Sequence, residues 1–189
     1  MTEDVAIRPA RLSDANGIAD VHIETWREAY AGVIQDSYLL ELDAGVQARA
    51  WQRDIVGRRP GAGILVATVK GARREQVVGF GSWGRCRSAA LPYAGEVYML
   101  YILNDWQGRG VGRRMLGALF RQIARSERNS AFLWVLSANP ARFFYDAMGG
   151  RPVAERQESF AGSLLDETAY AWPDLTHWLA SQRHPLDER

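Results

Sequence analysis

The amino-acid sequence predicts a mixed α/β fold. Short β-branched runs alternate with amphipathic helical segments along the 189-residue chain. A buried, strand-like run passes through a cluster of glycines directly into a strong helix. Two further strand-like runs about a glycine turn close the chain, as a hairpin would. We find no internal repeat and no linker, so one domain over residues 1–183 is expected, followed by a frayed tail at 184–189.

Each element has a local reason. Val5 to Arg8 alternates and stops at Pro9, which predicts a first strand. Ser13 or Asp14 is expected to cap a helix carrying Ile18, Val21, Thr25 and Ala29 on one face. A second helix is expected from Ser37 to about Ile55, with Leu39, Leu42, Val46, Ala50 and Trp51 inward, ended by Pro60-Gly61-Ala62-Gly63. Ile64–Val69 and Gln76–Trp83 read as strands joined by a polar turn at Lys70–Glu75. Gly84–Tyr93 reads as a loop, and Gly95–Leu103 as a central strand. The helix after the glycines places Val111, Met115, Leu116, Leu119, Phe120 and Ile123 on one stripe. Ala131–Leu136 is a buried strand. Pro140 opens a short helix through Met148, stopped by Gly149-Gly150. Pro152–Phe160 and Leu164–Trp172 form the hairpin about Ala161-Gly162, and Asp174–Ser181 a terminal helix.

Composition excludes some functions. The formal net charge is +1, from 23 Lys+Arg against 22 Asp+Glu, so no general attraction to nucleic acid or an acidic membrane is expected. The N-terminus lacks an apolar signal core, and no stretch is apolar enough to span a bilayer. With a single cysteine, Cys86, the chain forms no internal disulfide. A cytoplasmic protein is expected. No His/Cys/Asp/Glu spacing resembles a metal site, and no acidic run marks a polycation pocket. His22 reads as a packed or hydrogen-bonded residue.

The chemistry concentrates in Gln107-Gly108-Arg109-Gly110-Val111-Gly112. The first N–H groups of a helix have no internal partner and stand at the positive end of its dipole, so they bind anions. Glycines let a phosphate approach the backbone and allow positive φ. A nucleotide P-loop would need Gly-Lys-Ser/Thr at the end, where this chain has Gly112-Arg113-Arg114. A dinucleotide fold would need Gly-x-Gly-x-x-Gly, which the Gly108, Gly110, Gly112 spacing breaks.

The motif, between this strand and this helix, resembles the GNAT N-acetyltransferase superfamily, whose signature is Gln/Arg-x-x-Gly-x-Gly/Ala. The resemblance extends to the opening Ile7-Arg8-Pro9-Ala10, the early helices and the late strand-helix-hairpin. It implies a mostly antiparallel sheet of six to seven strands flanked by helices. It also implies acetyl-CoA as cosubstrate and a small-molecule or peptide primary amine as acceptor, with a homodimer as one possible assembly. Carried over residue by residue, Gln107, Gly108, Arg109, Gly110, Val111, Gly112 and Arg113 would hold the pyrophosphate. Leu100, Tyr101 and Ile102 would hold the pantetheine and acetyl group, with Asn139 touching the arm. A non-catalytic acyl-CoA sensor of the same fold is the alternative.

Direct attack of an amine on a thioester needs a base and benefits from an acid for the leaving thiolate. Glu96, at the start of the central strand, matches the family's glutamate base; it also reads as a strand-end carboxylate in solvent. Without a bulge it would share a face with Tyr98, Leu100 and Ile102. Tyr145 matches the family's tyrosine acid, though its run from Asn139 is one residue shorter than usual. That shift would turn the side chain by about 100° on a helix, and an aromatic packing role is the other reading. Trp26, Tyr30 and Trp83 lie in segments that line the acceptor side in related folds.

Overall fold

The apolar runs pair into one seven-stranded sheet. Its strands are β1 (Ala6–Pro9), β2 (Gly63–Lys70), β3 (Glu75–Arg85), β4 (Gly95–Ile102), β5 (Ala131–Leu136), β6 (Arg151–Phe160) and β7 (Ser163–Trp172), in the order β1-β2-β3-β4-β5-β7-β6. The helices are α1 (Ala15–Ala29), α2 (Asp36–Leu40), α3 (Ala44–Val56), α4 (Val111–Arg125), α5 (Ala141–Ala147) and α6 (Leu175–Ser181). This computed structural model describes residues 4–57, 59–71 and 75–182. The expected tail at 184–189, with His184, and the centre of the β2–β3 turn lie outside the described residues.

Only β4 and β5 run parallel; every other neighbouring pair is antiparallel. The sheet is therefore mostly antiparallel, as expected, and buried on both faces. On one face Met115, Leu116, Leu119, Phe120 and Ile123 of α4 are fully buried against Leu65, Val97, Leu133 and Trp172. Each such aliphatic side chain contributes roughly 2 kcal/mol by leaving water. On the other face Ile18 and Val21 of α1 and Trp51 of α3 pack on Val66 and Phe80. Arg8 ties β1 to the chain around it, pairing with Asp14 at 2.7 Å and Glu75 at 2.6 Å.

Three expectations need correction. The helix expected from Ser37 to Ile55 is two helices, and Asp43 caps the second by accepting from the Val46 N–H at 2.7 Å. The reason is that the apolar positions serve two different clusters. Leu39 and Leu42 pack with Ile34 and Leu165, whereas Ala48 and Trp51 pack with Ile18 and Phe80. Val46, expected inward, is 54% exposed because it sits on the first turn after the break. Asp14 does not cap α1 with its side chain; that carboxylate is taken by Arg8 and by the Arg11 N–H. The closing hairpin matches its expected turn. Ala161 and Gly162 have φ of 47° and 76°, the two positive values that a two-residue turn of this twist requires.

Candidate active site

β4 and β5 pair only at their starts, Gly95 with Ala131 and Glu96 with Phe132. Beyond that point they diverge, and a cleft of about 700 Å³ opens between them. Val97 to Ile102 form one wall and Leu133 to Leu136 the other. Parallel strands that separate in mid-sheet leave backbone groups on both edges free for a ligand that lies between them.

The glycine turn stands at one end of this cleft. A short 3-10 turn, Asn104–Trp106, carries the chain from β4 into it. Gly108 and Gly110 have φ of 69° and 79°, and Gly110 is the residue that caps α4. The first N–H of the helix with an internal partner belongs to Arg114, donating to the Gly110 carbonyl at 3.1 Å. Those from Gly108 to Arg113 donate to no described residue. The Gln107 amide nitrogen donates to the Ile102 carbonyl at 3.0 Å and pins the turn to the end of β4. Gly108, Gly110, Gly112 and Arg113 line the cleft. Arg109 and Val111, of the same expected set, place no side chain there. Arg109 lies over the Trp106 ring at 5.1 Å, and Val111 is in the core at 1% exposure. Their contribution to an anion site is confined to the backbone N–H.

Leu100, Tyr101, Ile102 and Asn139 all line the cleft. Asn139 stands just before α5, its side-chain oxygen accepting from the Ala141 N–H at 2.8 Å. Tyr145 also lines the cleft, so the shorter run from Asn139 does not turn it away. Its ring packs against Phe144, Tyr170 and Trp172. Burial pushes its hydroxyl well above the usual phenol range, with a smaller push from Tyr30. It is therefore a neutral donor at any ordinary pH.

Glu96 is placed differently from its sequence expectation. The β3–β4 register slips between Ser82 and Trp83, leaving Tyr98 as an extra residue on β4. That bulge breaks the alternation: Leu100 and Ile102 pack towards α4, while Glu96 and Tyr98 both meet Arg87 on the other face. Glu96 is 2% exposed and does not line the cleft. Arg87 takes both of its oxygens, through its N–H at 2.8 Å and its guanidinium at 2.6 Å.

The end of the cleft towards α1 is built by side chains from separate elements. Thr25, Glu28 and Tyr30 come from the end of α1, Tyr101 from β4, Tyr145 from α5 and Glu167 from β7. Trp26 stands one layer behind, stacked on Tyr30 at 4.7 Å and donating to the Tyr101 hydroxyl at 3.1 Å. Trp83 is not part of this wall. It lies in the core on the α4 face, beside Gly63. Sequence reading passed over Glu28 and Glu167 because neither sits in a local motif or an acidic run.

His22 lies beneath this end, stacked on Tyr101 at 5.8 Å and edge-on to Trp26 and Trp51. Neither ring nitrogen has a hydrogen-bond partner among the described residues, and burial lowers its pKa to about 4. It is a neutral packing residue. Among the described residues no group of three or more His, Cys, Asp or Glu side chains gathers as a metal site would, and no helix is long and apolar enough to cross a membrane.

Comparison with known proteins agrees with this geometry. Residues 60–149 match a family model described as an acetyltransferase (GNAT) domain. The chain is 34% identical over 172 residues to the uncharacterized N-acetyltransferase YuaI of Bacillus subtilis (strain 168), covering 91% of this chain and 95% of YuaI. Among solved structures it is similar to yncA of Salmonella typhimurium, determined with its cofactor acetyl-CoA. The TM-score is 0.64 at 22% identity, over 96% of this chain and 97% of that one. It is also similar to the PaiA N-acetyltransferase of Thermoplasma acidophilum, in complex with coenzyme A, with a TM-score of 0.60 at 17% identity over 87% and 98%. Splayed parallel strands, a glycine turn at the mouth between them and near full-length likeness to an N-acetyltransferase converge: the chain belongs to the GNAT acetyltransferase family.

Proposed function

We propose that this protein transfers the acetyl group of acetyl-CoA to a primary amine, and that one domain over residues 1–183 does so in the cytoplasm. The observation that carries this reading is the row of N–H groups from Gly108 to Arg113 that donate to no described residue, at the mouth of the β4–β5 cleft. Such a row holds a diphosphate. The arm of the cofactor then lies along Leu100 to Ile102, within reach of the Asn139 carboxamide, and its thioester arrives near the Tyr98 bulge. A backbone N–H released from the ladder at that bulge would meet the developing oxyanion.

The amine nitrogen attacks the thioester carbon, one N–H proton passes to water, and the C–S bond breaks as the C–N bond forms. Tyr145 gives its proton to the departing sulfur and regains one from solvent. A phenol raised by burial is a weak acid, but the same desolvation raises a thiolate beside it, so the exchange stays matched. Glu96, the base expected from sequence, reaches the amine only through water and only where Arg87 releases one of its oxygens. Trp26 and Tyr30 shape the acceptor wall in this reading, and Trp83 does not.

Titration with acetyl-CoA and a thiol-release assay with a panel of amines test the proposal. Binding in the micromolar range and amine-dependent release of free CoA are expected. Acetyl-CoA that binds Gly110→Glu as well as it binds the native chain would refute the site.

A further inference from the structure

The two ends of the cleft differ in charge. Glu28, Arg113 and Glu167 are the charged residues lining it, and Arg113 stands at the glycine turn. Arg113 apart, the lining carries two carboxylates, and Arg156, which pairs with Glu167, does not itself line the cleft. The alternation along β7 sets one of the two carboxylates. Leu165, Glu167, Ala169 and Ala171 share a face, because Leu165 packs with Ile34 while Ala169 and Ala171 pack with Phe132, away from α4. Glu167 therefore approaches the cleft from the face opposite the one that carries Tyr145 and the glycine turn.

Its environment is half engaged. Arg156 of β6 holds one carboxylate oxygen, through Nε and Nη2, both at 2.7 Å. The other oxygen accepts from no described residue. Glu167 acts electrostatically on the Tyr30 hydroxyl, and Tyr30 in turn acts on those of Tyr101 and Tyr145. A second feature points independently to a ligand. Tyr145 is 6% exposed, lines the cleft and makes no side-chain hydrogen bond to a described residue. Its hydroxyl is therefore free to bond a molecule that occupies the cleft.

We propose that the acceptor end takes an alkylammonium or arylalkylammonium with no carboxylate beside its reacting nitrogen, and that Glu167 is the residue that meets this ammonium. This rests on the acetyltransferase reading above. The free Glu167 oxygen orients the cation, Glu28 adds negative potential at the rim, and Tyr30 and Tyr101 line its apolar carbons. An α-amino acid would bring its carboxylate against the free Glu167 oxygen, while Arg156, the cation beside it, is already engaged on the other oxygen, and like charges at close range are disfavoured.

The test uses matched pairs that differ only in that carboxylate: phenethylamine with phenylalanine, and butylamine with norvaline. For each pair kcat/KM is measured on the purified full chain alongside acetyl-CoA affinity. The amines are expected to exceed the amino acids on the order of 100-fold. Glu167→Gln is expected to raise the amine KM about tenfold with acetyl-CoA affinity unchanged. Arg156→Gln, which frees the second oxygen, is expected to lower that KM. Opposite signs are the signature of a carboxylate that meets substrate. If both variants raise KM alike, the pair is a structural link and the proposal fails. Amino acids that react as well as the amines, or no turnover of any probe while acetyl-CoA binds, also overturn it. Loss of acetyl-CoA binding in the native chain would instead refute the acetyltransferase reading.

Discussion

The glycine turn and the acceptor end lie in one cleft and are made in opposite ways. The turn is a single run, Asn104 to Arg113, and its functional groups are backbone N–H donors that need only two positive φ values and a helix start. The acceptor end draws single residues from α1, β4, α5 and β7, and its functional groups are side chains. A diphosphate is the same in every acyl-CoA, so a local, sequence-tolerant device serves it. An acceptor varies, and its site is set by parts that can change one at a time without disturbing the turn.

That contrast is sharpest at Gly110. Nothing lies within 4 Å of where a Cβ would sit, so a side chain there meets no steric bar, only the strain of a φ of 79°. Gly110→Glu places a carboxylate at the anion site and is expected to weaken acetyl-CoA on the order of 1000-fold. Circular dichroism is expected to stay native, because the strain costs only about 1–2 kcal/mol. An equal loss of fold and binding would deny the turn its independence.

Tyr145→Phe is the next largest expected change. It should lower kcat on the order of 100-fold while acetyl-CoA affinity is retained. Unaltered turnover would return Tyr145 to a packing role against Tyr170 and Trp172.

His22 tests how the acceptor end is supported. Its pKa is lowered to about 4 by burial, so between about pH 6.5 and 4 the unfolded chain binds more protons than the folded one. Stability is fully present above that window and falls as pH drops through it, by up to about 3 kcal/mol. His22→Phe should flatten this slope in denaturant melts taken across the range. A slope that persists would assign it to other groups.

Trp83→Leu has the smallest functional effect expected. Trp83 lies in the core on the α4 face, so stability should fall by about 1–3 kcal/mol while the acceptor KM stays unchanged. A shifted KM would carry the acceptor end further across the sheet than the cleft extends.

Much of the fold was legible because it is written locally. The alternation in β2 and β3, the apolar stripe of α4 and the two-residue turn at Ala161-Gly162 each follow from neighbours in the chain. The single helix expected from Ser37 to Ile55 failed because its apolar residues belong to two clusters, and periodicity does not say which cluster a residue joins. Glu96 would share a face with Leu100 in an unbroken strand, and one extra residue at Tyr98 reverses that, a bulge that alternation allows for but does not place.

The sequence by itself determined the strand, the glycine turn and the helix, since a backbone anion site depends on dihedral angles and helix ends that a few adjacent residues set. Only the tertiary structure decided that β4 and β5 part beyond Glu96, that Arg87 occupies that carboxylate, and that Glu28 and Glu167 both line the gap. Those facts depend on register and on the packing of helices against opposite faces of a sheet, which no short run of residues encodes.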